Sequence, residues 1–275
     1  MTNTDYADWI GRRSDHSDSI TSQKLAQLRV TLGQACGPSR VPGGMQWCIA
    51  PDLAGAEDLG RDGHPRPGLV LPKLPLPRRM WAGGELHVHS AFEEGDAVTR
   101  VTTIRDVTFK QGRSGPLGFV TVDHCYEVAG ELRLSERQDI VYREDPKPGA
   151  RSSLQPAEEW SVVASWQIVP DATLLFRFSA LTFNGHRIHY DHPYATGVEG
   201  YDGLVVHGPL QATWMQNLAA ECFGHLPSRF AYRGLTPLVA GIPIRVEARE
   251  APGGLGLRVR RETDGVVTMQ AEAGR

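Results

Sequence analysis

The stretch from Phe183 to Asn217 gathers the side chains best suited to chemistry: Asn184, His189 five positions later, and His207-Gly208-Pro209 at the start of an uncharged run. An imidazole has an unperturbed pKa of about 6.5 and moves protons in either direction near neutrality. His189 is therefore the natural acid/base group, while Asn184, which cannot ionise, is suited to orienting a water through its amide. Pro fits the first turn of a helix, where its missing N–H has no intrahelical partner, so Gly208 marks a helix start. From Gly208 to Ala220 no side chain is charged, and Leu210, Trp214 and Leu218 recur every four residues with Met215 widening the apolar face. That pattern describes a buried helix. Its first-turn N–H groups lack partners and carry partial positive charge, which makes the Gly208 backbone the expected donor to an oxyanion, with His207 shaping the helix start. The residues leading into the motif, Leu174 to Thr182, read as a strand whose tail bears Asn184 and His189. With no charge at Asn184, either His189 with its bound water makes both proton transfers, or Asp191, two residues beyond His189, supplies the second group if the loop turns it inward.

Other chemistries fit this sequence less well. His186, His189, Asp191 and His192 crowd together, and His87 and His89 would share one face of a strand, yet neither set has the HExxH form or a Cys partner. No metal is expected. There is no GxSxG elbow, Walker loop or GxGxxG, so neither a serine nucleophile nor a nucleotide cofactor is expected.

The order of Asn184, His189 and a His-Gly opening a central helix resembles the MaoC-like enoyl-thioester hydratases and dehydratases, in which an Asp and a His occupy the same interval within a G-D-x-N-P-x-H pattern. Here Asn184 stands at the Asp position, His186-Arg187 replaces Asn-Pro, and His189 keeps the His. Together with PLPRRMWAGG, GRSGPLGFVTV and QDIVYRE, the chain is similar along nearly its whole length to the double hot-dog subset of that group that hydrates mesaconyl-C4-CoA (3-methylfumaryl-CoA). The resemblance implies a cofactor-free, reversible addition of water to such a thioester, giving citramalyl-CoA, with itaconyl-CoA or a longer 3-hydroxyacyl thioester as alternative substrates. It also implies catalytic roles for Asn184, His189 and Gly208. A dicarboxylic acyl group needs a cation, for which Arg78, Arg79, Arg113 and Arg187 are candidates because guanidinium pairs with carboxylate in bidentate fashion. Trp81, Tyr194 and His207 are expected to line the substrate site, and Tyr190 and Tyr201 are further candidates. A hot-dog thioesterase and a non-catalytic acyl-binding subunit are the readings from other classes.

Around that motif the chain repeats one order of elements. Ile20, Leu25, Leu28 and Leu32 mark an amphipathic helix, with Ser19 or Thr21 to cap it and Gly33 to stop it. Pro38 to Pro77 is dense in Gly and Pro and is expected to be an ordered loop over a ligand channel, with Trp47 and Trp81 near its ends. Strands follow at Glu85 to Ser90, Ala97 to Lys110, Leu117 to Val128 and Leu132 to Tyr142, with QGRSG and Ala129-Gly130 as turns. Prolines and charges between Asp145 and Glu159 suggest a linker. The order then returns, with the motif helix followed by strands near Arg229 to Gly234, Ile242 to Ala248, Gly256 to Arg261 and Val266 to Ala271. This predicts an α+β fold of two hot-dog units, residues 1–145 as a degenerate unit forming channel walls and residues 146–275 as the catalytic unit, each sheet wrapping a long helix. One active site per chain follows, because RRSDHSDSI ahead of the first helix has no such Asn-to-His interval.

The 29 basic and 32 acidic residues leave a formal charge of -3, which gives no electrostatic footprint for nucleic acid. No apolar run is long enough to span a bilayer, and Cys36, Cys48, Cys125 and Cys222 have no zinc-type spacing. These features suggest a cytoplasmic protein with reduced thiols, whose partner is an acyl-CoA thioester; a homodimer is compatible.

Overall fold

Alternating burial along the strands builds the frame. In the computed structural model, which describes residues 3–112, 115–145 and 158–275, β3 (Ala97–Gly112) buries Val98, Arg100, Thr102 and Ile104 at every second position. Next to it, β4 (Gly115–Val128) buries Val120, Val122, His124 and Tyr126, and β5 (Glu131–Arg143) buries Leu134, Glu136 and Tyr142. With β1 (Arg13–Ser19) and β2 (Arg78–Val88) these form the first half of a sheet. The second half consists of β6 (Ala164–Ile168), β7 (Arg229–Gly234), β8 (Ile244–Ala251), β9 (Gly254–Arg261) and β10 (Val267–Gly274).

The ten strands of the described residues belong to one sheet in the order β1-β3-β4-β5-β2-β7-β10-β9-β8-β6. Read inward from either edge, the order is the same: the first strand of a half, then its third, fourth, fifth and second. Every pairing is antiparallel, and the halves meet where Gly84 faces Tyr232 and Leu86 faces Phe230 across β2 and β7.

The helices differ more than the strands. In the first half, α1 (Ser22–Leu32) is capped by Thr21, whose hydroxyl accepts from the Lys24 N–H at 3.1 Å, and ends at Gly33. In the second half, α2 (Ala172–Leu181) occupies the matching place after the edge strand and packs Leu175 and Phe178 into the same core as Leu25, Leu28 and Leu32. The expected strand from Leu174 to Thr182 is therefore a helix. Its run Leu-Leu-Phe-Arg-Phe fits either period, and the deciding feature is Asp171, whose carboxylate accepts from the Leu174 N–H at 2.7 Å as an N-cap.

Among the described residues, only the second half carries a long buried helix, α4 (Gly208–Phe223), in which every residue from Leu210 to Ala220 is buried. The expectation of one long helix per half fails in the first, where α1 has 11 residues and the loop after it does the covering. Asn217 of α4 accepts from the Gly43 N–H at 3.0 Å and donates to the Gly43 carbonyl at 3.1 Å. Leu74 and Leu76 farther along the loop cover Ile104, Val107, Val120 and Val122. Trp47 packs edge-on against Trp81 with ring centroids 5.6 Å apart. The edge strands β1 and β6 had no clear sequence signal. Arg113, part of the QGRSG turn, most of the expected linker and the 145/146 unit boundary's second side lie outside the described residues.

Candidate active site

The motif loop is set up by the end of α2. Phe183 takes a left-handed φ of 50°, Phe183 N–H reaches the Ala180 carbonyl at 3.4 Å, and Asn184 N–H reaches the Ser179 carbonyl at 2.8 Å. This is the paired closure of a Schellman motif. The Asn184 side chain then accepts from the His186 backbone N–H at 2.9 Å, an Asx turn that aims the following residues back across the helix end. Asn184 and His189 thus stand on a helix exit and a short helical turn at Arg187–His189, not on a strand tail.

His189 is buried, and its Nδ1 lies 2.6 Å from the carbonyl oxygen of Val205. A carbonyl can only accept, so Nδ1 carries the proton and Nε2 presents a lone pair. Desolvation lowers the pKa of His189 to about 4 against the smaller opposing effect of that hydrogen bond. The ring is therefore a neutral base with a fixed tautomer at neutral pH.

Its neighbour is the start of α4. The His189 and His207 rings stack with centroids 3.5 Å apart and planes 19° apart, which brings His189 within one residue of the Gly208 helix start. His207 is fully buried, and its Nε2 lies 2.8 Å from Ser179 Oγ. Burial first, then the neighbouring histidines, hold its pKa well below the usual value. Gly208 sits under Trp81: a Cβ there would lie 2.5 Å from Trp81 Cε3. Trp81 in turn stacks on Tyr232 at 4.4 Å. A bulge in β2 between Trp81 and Gly83 lets Arg79 and Trp81 share the inward face with Gly84 and Leu86.

The expected substrate contacts divide. Arg78 is buried and paired with Glu199 at 3.0 Å, its guanidinium over the Tyr201 ring. Tyr194 is buried and donates to Glu199 at 3.1 Å. Arg187 holds Asp191 through Nε at 2.9 Å and Nη2 at 2.7 Å and lies over the Tyr194 ring. Asp191 also caps α3 (His192–Gly197), so its carboxylate is turned to the loop rather than inward. Arg79 is half-buried, with Nε 3.5 Å from Asp62 and Nη2 donating to the Pro65 carbonyl at 3.2 Å. The crowded histidines do not share one centre, since His192 lies in α3 and His87 and His89 bond Glu85 and Ser135.

Three residues come into the site without warning from the motif: Ser179, Asp62 and His64. His64 packs on His186 with ring centroids 4.3 Å apart, and the His186 and His189 rings stand nearly perpendicular with centroids 5.4 Å apart. Nothing in the spacing could link residues more than a hundred positions apart; the only hint was the turn-rich GRDGHPRPG.

Residues 44–240 match the family described as hydroxyacyl-thioester dehydratase type 2. The chain belongs to that family. It is 40% identical over 255 residues to mesaconyl-C(4)-CoA hydratase of Chloroflexus aurantiacus, covering 90% of each protein. Among solved structures it is similar to a MaoC-like dehydratase from Phytophthora capsici, with a TM-score of 0.68, 12% identity and 98% coverage of both chains. It also superposes on a Mycobacterium tuberculosis protein described as having a double hotdog fold, with a TM-score of 0.59, 14% identity and 96% of each chain covered. The α+β fold is thus a double hot-dog, and the chain is a hydro-lyase of the hydratase and dehydratase type.

Proposed function

We propose that this chain adds water reversibly to mesaconyl-C4-CoA to give citramalyl-CoA, without a cofactor. The observation that carries the chemistry is the neutral His189, its tautomer fixed by the Val205 carbonyl, stacked on the residue that starts α4. The substrate rests on the 40% identity to the Chloroflexus hydratase. In this reading His189 Nε2 takes a proton from water as the oxygen bonds to the β-carbon. The C=C electron pair moves onto the thioester oxygen, and the backbone at Gly208 stabilises the resulting enolate.

Asn184 shapes the loop and offers its amide N–H₂ to the water. Trp81, Tyr194 and His207 wall the site. Of the arginines, Arg79 is the least tightly paired, 3.5 Å from Asp62 against 3.0 Å for Arg78 and Glu199 and 2.7 Å for Arg187 and Asp191, and is the one best suited to the free carboxylate. Residues 146–275 would hold the catalytic machinery and residues 1–145 the walls. A cytoplasmic enzyme working as a homodimer belongs to the same proposal, and gel filtration tests the dimer.

The deciding experiment incubates the protein with a panel of enoyl-CoA esters and follows loss of the conjugated thioester absorbance. Turnover of mesaconyl-C4-CoA ahead of crotonyl-CoA and itaconyl-CoA supports the proposal. Release of free thiol instead would point to a thioesterase and overturn it.

A further inference from the structure

If the site is a hydratase, one requirement is unmet by the motif loop. Hydration moves two protons, one off the water and one onto the α-carbon. His189 is a neutral base, and its one ring proton is committed to the Val205 carbonyl. Asn184 has no proton to give, and Asp191 is tied to Arg187. His186 is held neutral too: burial, then the nearby His189, pushes its pKa down to about 3. The Tyr190 hydroxyl donates to the Gly185 carbonyl at 2.8 Å, so within residues 184–191 only His189 itself, returning the proton it takes from water, could serve the α-carbon, and a separate donor has to come from outside the motif loop.

We infer that His64, supported by Asp62, is that second acid/base group, delivered to the site from the long loop of the first unit. His64 Nδ1 lies 3.1 Å from Asp62 Oδ2, and the Asp62 side chain also accepts from the His64 backbone N–H at 3.1 Å. The Asp62 carboxylate accepts a hydrogen bond from Nδ1–H and compensates the ring when it holds a second proton, and that second proton, on Nε2, is the one to be given. His64 stays partly open to solvent, with a side-chain exposure of 25%, so it can recover a proton between turnovers.

The placement is built rather than incidental. Arg187 N–H donates to the Asp62 carbonyl at 2.8 Å and Arg187 Nη1 to the Arg61 carbonyl at 3.1 Å. Gly63, at φ 85°, lies so close to the motif loop that a Cβ on it would be 2.0 Å from the Gly185 carbonyl oxygen. The loop is therefore locked backbone to backbone against the residues between Asn184 and His189. Asp62, His64 and His186 offer nitrogen and oxygen atoms all within 4.8 Å of one another, a spacing a cation could use. The guanidinium of Arg79 already stands 3.5 Å from Asp62 and supplies the positive charge there.

The step balances. His189 Nε2 takes the water proton as the new C–O bond forms at the β-carbon, and the enolate collapses as His64 Nε2 gives its proton to the α-carbon. His189 then loses a proton to solvent and His64 regains one. The groups facing His64 are Asp62 on its own loop and His186 on the motif loop, with Arg79 on β2 reaching Asp62 at 3.5 Å.

The test uses the full chain and mesaconyl-C4-CoA. His64→Ala is expected to lower kcat by about 10²-fold or more, the range typical of a lost acid/base group, with KM changed less than about threefold. Added imidazole should restore part of the rate. His64→Gln and Asp62→Asn, which keep the shape of the loop, should lower kcat in the same direction and change the alkaline side of the pH–rate profile. Turnover within about threefold of the unaltered chain in these variants would overturn the inference, as would a loss with an unchanged pH profile and no imidazole rescue. Failure of the unaltered chain to hydrate any enoyl-CoA would sink the hydratase reading itself, and this inference with it.

Discussion

At His189 the environment fixes both which nitrogen is basic and over what pH range it stays so. Its pKa is lowered to about 4 by desolvation, so the ring remains a base well below the usual histidine range. The acidic limb of kcat/KM should accordingly fall nearer pH 4 than 6.5, and an acidic limb at 6.5 would contradict a buried base. His189→Ala should lower kcat by roughly 10²–10⁴-fold, read as slower loss of conjugation at saturating substrate. Gly208 makes a different claim. A methyl there must push into the Trp81 ring, so Gly208→Ala should destabilise the protein by about 1–3 kcal/mol, as over-packing does. Trp81→Leu in the same chain should recover part of that loss in a denaturant titration. Gly208→Ala as stable as the unaltered chain would mean the ring is not held against the helix start.

At the scale of elements, α4 was plain in the sequence because an uncharged run with apolar residues four apart has one reading, and Pro209 fixed its start. α2 reads as a strand in the sequence because what makes it a helix is the Asp171 cap and its packing on α1, neither of which the apolar run announces. Asp171→Ala should cost about 1 kcal/mol as a lost N-cap. Because α2 positions Ser179 and the Schellman closure before Asn184, turnover should fall along with the melting temperature. The motif residues were found at their spacing, but the function of the 58–66 loop was hidden because a contact across the two halves leaves no periodicity to detect. Asp191 belongs to this scale as well. Its carboxylate fastens Arg187 and caps α3, so Asp191→Asn should leave the shape of the pH–rate profile unchanged while lowering turnover less than tenfold. A shifted profile would return Asp191 to the proton pathway.

For the whole molecule, the buried imidazoles in both halves tie folding to pH. His124 is pushed to about 3 by burial, with Arg100 adding to the shift, and His186 to about 3. His189 goes to about 4, and His207 moves in the same direction. In the unfolded chain each returns to about 6.5. Between pH 6.5 and the folded values the unfolded state therefore binds more protons, so stability is full above 6.5 and falls as the pH drops. Each fully linked proton contributes a slope of about 1.4 kcal/mol per pH unit. Glu136 works the other way: burial raises its pKa despite donors from Trp47, Gln138, Tyr232 and Tyr126, so protonation favours the folded state. One opposing carboxyl does not offset four imidazoles. Ordinary carboxylates stay ionised above about pH 5 in both states, so the interval from pH 6.5 to 5 isolates the histidines. Urea midpoints should fall steeply across that interval, and His124→Gln should make the fall shallower without touching the motif loop. A midpoint that stays flat from pH 7 to 5 would mean that these rings take up protons in the folded state as easily as in the unfolded one, and His189 could not then be the neutral base the site requires.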